Sequence, residues 1–127
     1  MSAELQIQQA QRRIQHADVM LGEAVQLDDI AAQLMMVQRY WNAPGRTTHL
    51  NAALADSRAV WHGIQAALAQ GRLALPLEVQ HNLLILSVYA DSKICACEDE
   101  PSADMLGSLI ALTRTLAGSL KEWQVAA

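Results

Sequence analysis

Phenylalanine is absent from this chain, and the aromatics amount to three Trp and two Tyr among 127 residues. A β-sandwich core would want Val, Ile, Thr and aromatics. Here the apolar share, 52% of all residues, must come mainly from Leu, Ile, Val, Met and Ala. Leu, Met and Ala are strong helix formers, so the composition favours helices packed on helices. Only two cysteines occur, Cys95 and Cys97. On a helix they would point ~200° apart, so they neither bridge easily nor converge on one metal. They read as thiols in a reducing compartment. Basic residues are few as well: nine Lys and Arg against thirteen Asp and Glu, a formal charge of −4. The basic residues are scattered from Arg12 to Lys121 with no cluster, which excludes a nucleic-acid footprint and a polybasic membrane-surface segment. No apolar run approaches the ~20 residues of a membrane span. The N-terminal MSAELQIQQAQRR has no signal-peptide core. The chain is expected to be soluble and cytoplasmic, with a single domain over 1–127.

Five helices are predicted, forming a compact all-α bundle. The first covers Ala3 to Leu21, with a narrow stripe of Ile7, Ala10, Ile14, Ala17 and Leu21. Gly22 is its expected stop, and residues 1–22 are expected to attach loosely. Asp28 or Asp29 caps the second helix, whose stripe is Ile30, Leu34, Val37 and Trp41. Asn42-Ala43-Pro44-Gly45 ends it. Thr47 or Thr48 caps the third, with Leu50, Leu54, Ser57, Trp61, Ile64 and Leu68 in register and Gly71 just past its end. Pro76 opens the fourth, which runs to about Cys97. Val79, Leu83, Leu86 and Ala90 form one face of it. Leu84, Val88 and Cys95 form another, and Ile85 and Tyr89 a third. A helix apolar nearly all round is expected in the middle of a bundle. Glu98-Asp99-Glu100-Pro101 breaks the chain. Ser102 or Asp104 caps the fifth helix, with a stripe of Met105, Leu109, Leu112, Leu116 and Leu120. The tail from Gln124 to Ala127 is expected to fray.

Catalytic equipment is not recognisable in the sequence. His16, His49, His62 and His81 include no i,i+4 pair and no metal-ligand spacing with a carboxylate. The chain carries no nucleophile elbow, no phosphate-cradling glycine loop and no Cys-x-x-Cys. No cofactor and no metal site are expected, and the protein is read as a non-enzyme. A pocket gathering His62 or His81 with Asp91 or Glu78 would be the sign of the opposite. Trp41, Trp61 and Trp123 each lie on an apolar stripe and either fill the core or line a groove. Met20, Met35 and Met36 either fill gaps or form an adaptable surface.

The central and C-terminal segments resemble the FlaF family of flagellar biosynthesis regulators. That family's A-L-x-W-N-R-x-L-W stretch is matched by Ala53-Leu54-Ala55-Asp56-Ser57-Arg58-Ala59-Val60-Trp61. Leu75-Pro76 follows, and then the apolar helix as Leu84-Ile85-Leu86-Ser87-Val88-Tyr89. The closing motif is matched by Leu109-Ile110-Ala111-Leu112-Thr113-Arg114-Thr115-Leu116-Ala117-Gly118-Ser119-Leu120. Order and spacing agree from about Asp29 to Leu120. Asp56, Ser57, Gln80, Tyr89 and Thr113 depart from the family residues, marking a divergent member. The resemblance implies an all-helical, non-enzymatic chaperone or regulator of flagellin synthesis and secretion, acting with the regulator FlbT. Its partners would be flagellin and FlbT, with no direct nucleic-acid contact. An amphipathic flagellin segment would lie in an apolar helical groove. Trp61 would anchor it, the Leu84 and Val88 face would receive it, and Arg58 and Arg114 would fix a carboxylate. The alternatives are a post-transcriptional regulator acting with FlbT and a chaperone for another secreted helical protein.

Overall fold

The computed structural model describes residues 3–73 and 75–126, with the side chains of 10–21 and 124–126 outside the description. Four helices are present: α1 Ala3–Arg39, α2 Arg46–Ala69, α3 Leu77–Asp99 and α4 Ala103–Ala126. No strand occurs among the described residues. All five predicted helical segments are helical, and the first two run together as α1. Gly22 does not stop the helix. A glycine inside a helix costs only about 1 kcal/mol, and Ala24 and Leu27 just beyond it are completely buried in the core. Asp28 is therefore no cap; it sits mid-helix and takes a hydrogen bond from Lys121 of α4. Of the predicted first stripe, Ile7 is exposed; Ala10, Ile14, Ala17 and Leu21 lie outside the described side chains, as does the Gln124–Ala127 tail.

The helices form a ring. α1 packs on α2 and α4, and α3 closes the far side against α2 and α4 without touching α1. The α1–α4 seam is the most extensive. Each helix buries a stripe spaced three and four residues apart, the spacing of antiparallel bundles. The stripes are Ala24, Leu27, Ala31 and Leu34 on α1, and Leu50, Leu54, Ser57, Trp61 and Ile64 on α2. On α3 they are Leu83, Ser87, Ala90, Ile94 and Cys97, and on α4 Leu106, Leu109, Thr113, Leu116 and Leu120. Three hydroxyls fall inside these stripes. Each donates to its own helix backbone: Ser57 to Ala53 O at 2.8 Å, Ser87 to Leu84 O at 2.7 Å and Thr113 to Leu109 O at 2.8 Å. A buried hydroxyl so satisfied carries little penalty.

The helix ends follow local chemistry. α2 finishes as a Schellman motif: Gly71 N–H bonds Leu68 O and Arg72 N–H bonds Ala67 O, with Gly71 at φ +67°. That conformation favours glycine. Ser102 caps α4 by accepting from Met105 N–H at 3.4 Å. α2 begins at Gly45, whose φ is +80°, with no side-chain cap. Thr47 and Thr48 are inside its first turn rather than capping it, because the left-handed Gly45 turns the chain into the helix before either threonine is reached.

Candidate partner-binding surface

The apolar helix with three apolar faces is α3, and it is not the central helix. Its inner stripe is fully used by α2 and α4. Its remaining faces have no helix against them. Leu77, Leu84, Ile85, Val88 and Tyr89 are 80%, 45%, 55%, 59% and 53% exposed. At about 1.5 Å and 100° per residue they make one strip about 18 Å long on the side away from the core. Single exposed apolar residues are ordinary, but Leu84, Ile85, Val88 and Tyr89 lie side by side here, with Leu77 beyond His81 on the same side. Lys93 edges it, with its ammonium 4.7 Å from the Tyr89 ring centroid.

Two of the five sequence candidates, Leu84 and Val88, sit in this strip. Trp61 does not. It is completely buried in the α2 stripe, so it fills the core and no groove reaches it. Its Nε1–H has no acceptor among the described residues. Arg58 is half-buried and already engaged, its Nη2 donating to Glu98 of α3 and lying 3.7 Å from Cys95 Sγ. The hydrogen bond it donates to the Glu98 carboxylate raises the Arg58 pKa further and holds the guanidinium charged. Arg58 thus ties α2 to α3, and its carboxylate comes from its own chain. Arg114 is exposed on α4 and makes no ion pair among the described residues. The structure therefore brings Leu84 and Val88 together and places Arg58, Trp61 and Arg114 apart from them in role.

His62 and Asp91 meet, Nε2 to Oδ2 at 3.3 Å, across the α2–α3 seam. Gln65 Nε2 donates to Ser87 Oγ at 3.0 Å and to Asp91 at 3.5 Å. The imidazole is about half exposed, and neither residue lines the clefts at the α1–α2 junction. The Ser87 hydroxyl is spent on Leu84 O and Gln65. This cluster is a polar tie between helices. No group of three or more His, Cys, Asp and Glu able to hold a metal occurs among the described residues. Burial raises the Cys97 pKa, while Cys95 is exposed; both are free thiols. No described helix is long and apolar enough to cross a membrane.

A second surface was not singled out from sequence. It is a cleft of about 440 Å³ between the end of α1 and the start of α2, floored by Met36, Val37, Tyr40 and Pro44 and edged by Arg46 and His49. The Met35-Met36 pair is its only sequence signal, and Pro44 reads there as part of the break that ends a helix.

Fold and surface together define an all-α bundle that leaves one helix face apolar and open. The family model described as Flagellar protein FlaF matches residues 6–120, and the chain belongs to that family. That span begins earlier than the motifs of the resemblance, taking in most of α1. No curated protein and no solved structure matches the chain.

Proposed function

We propose that this protein is a cytoplasmic chaperone and regulator of flagellin that holds an amphipathic flagellin segment against the outer face of α3. The observation that carries the reading is the open strip of Leu77, Leu84, Ile85, Val88 and Tyr89. Membership of a flagellar family supplies the direction in which to look for its occupant. A client helix laid along the strip would supply the neighbour that α3 lacks. Covering four side chains that are already about half buried recovers ~1 kcal/mol each, half of the usual 1.5–3 kcal/mol for full burial. The client's own apolar face gains a similar amount. Set against the ~4–15 kcal/mol lost on association and ordering, the surplus from this strip is small, and the complex is weak and reversible. Reversibility is what a client bound for export requires.

Calorimetric titration with the N-terminal and C-terminal segments of flagellin as separate peptides tests this. Binding to one of them with a negative heat-capacity change is expected. Val88→Asp should weaken it at least about tenfold, a cost of ~1.4 kcal/mol, while the melting curve stays in place. Absence of binding to both segments would overturn the chaperone reading and favour regulation through FlbT instead.

A further inference from the structure

The cleft between α1 and α2 combines an apolar floor with unneutralised positive charge. Met36 and Tyr40 are 54% and 52% exposed along it, beside Val37 and Pro44. Arg46 stands at its edge with its guanidinium stacked 4.2 Å over the Trp41 ring. Arg39 lies 5.7 Å over the Tyr40 ring. The ion pairs among the described residues use Arg58, His62 and Lys121, so neither Arg39 nor Arg46 meets a carboxylate there. None of the residues lining the cleft is acidic, although Asp and Glu outnumber Lys and Arg thirteen to nine. Glu98, Asp99, Glu100 and Asp104 belong to the α3–α4 corner, and Arg58 already holds Glu98. An acidic protein has thus lined one apolar hollow with none of its own acid and with Arg46 and His49, and Arg39 stands beside it over Tyr40. A stacked guanidinium is fixed in place and offers its N–H edge for a carboxylate.

We propose that this cleft docks an acidic amphipathic segment of a partner protein. Apolar side chains of the segment would cover Met36, Val37 and Tyr40, and a carboxylate would meet Arg46. The methionine lets the floor adjust to side chains of different shape. Nucleic acid is a poor fit, because two arginines and one histidine make too small a footprint. The cleft is built on α1 and α2 and shares no residue with the α3 strip, so the two can be occupied independently.

The probe is a fluorescent synthetic helical peptide of Leu and Ala with Glu at i and i+4, compared with a twin in which every Glu is Lys. The acidic peptide should bind the full chain at least about tenfold more tightly than the basic one, and less tightly as salt shortens the Debye length from ~10 Å. Arg46→Glu should reverse that preference. Since losing the stacked arginine could disturb Trp41, Met36→Asp at an exposed position is the second variant and should weaken the acidic peptide with no change in helicity. Val88→Asp on α3 should leave the acidic peptide's affinity unchanged, which separates this site from the flagellin reading. Equal binding of the two peptides, no binding at all, or loss of binding in Val88→Asp but not in Arg46→Glu and Met36→Asp would each overturn the proposal.

Discussion

Trp61 is the largest of the completely buried side chains, and its replacement by alanine separates a packing role from a contact role. Truncating a buried Trp costs ~3–5 kcal/mol through lost transfer energy and the cavity left behind. Part of that is returned, because the indole Nε1–H has no acceptor among the described residues. Removing an unsatisfied buried donor relieves ~1 kcal/mol. The net loss is therefore ~3 kcal/mol, a large part of the ~5–15 kcal/mol that keeps a domain folded. With a urea slope of ~1.5 kcal/mol/M, the midpoint should fall by ~2 M. Trp61→Phe keeps most of the volume and also removes the orphan donor, so it should cost only ~1 kcal/mol. Urea titration followed by helical circular dichroism reads both variants. Flagellin binding, measured where Trp61→Ala is still folded, should survive. A wild-type melting curve combined with lost binding would refute the packing argument and return Trp61 to the interface.

Two further outcomes follow from local chemistry. Gly71→Ala forces a side chain into φ +67° at the end of α2, where nothing lies within 4 Å of the added Cβ; the left-handed backbone alone should cost about 1 kcal/mol in a urea melt. Glu23 is half-buried, and desolvation raises its pKa against the opposing charge of Arg72. A carboxyl whose folded pKa exceeds its unfolded one binds its proton more tightly when folded, so its contribution is favourable at low pH and is lost as pH rises through the folded pKa. Glu23→Gln should therefore stabilise the protein at neutral pH, with the gain fading as pH falls through the folded pKa and gone below the unfolded one, as read from paired melts.

The helices were legible because their stripes obey one spacing throughout. Even Ser57 was placed correctly, as a small polar residue standing in an apolar register. The continuity of α1 through Gly22 was hidden, since local propensity cannot show that Ala24 and Leu27 on the far side are gripped by α2 and α4. For the same reason α3 was set in the middle. Its sequence shows three apolar faces, but only tertiary contacts decide which are covered. Leu84 and Val88 nonetheless read as one apolar face of that helix, and both are exposed. The cleft at Arg46 is not legible in the sequence, because its floor comes mainly from one helix and its charge from the next.

The ring closes between the first helix and the fourth. During synthesis, the Leu27 and Leu34 side of α1 finds its largest neighbour only when α4 leaves the ribosome. At ~5–20 residues per second, that is a wait of several seconds with an apolar stripe uncovered. A chain that stalls or is cut before Ala103 can never close the bundle, whatever becomes of its other helices. Such fragments stay open to proteases, so the population that persists is the population that was finished.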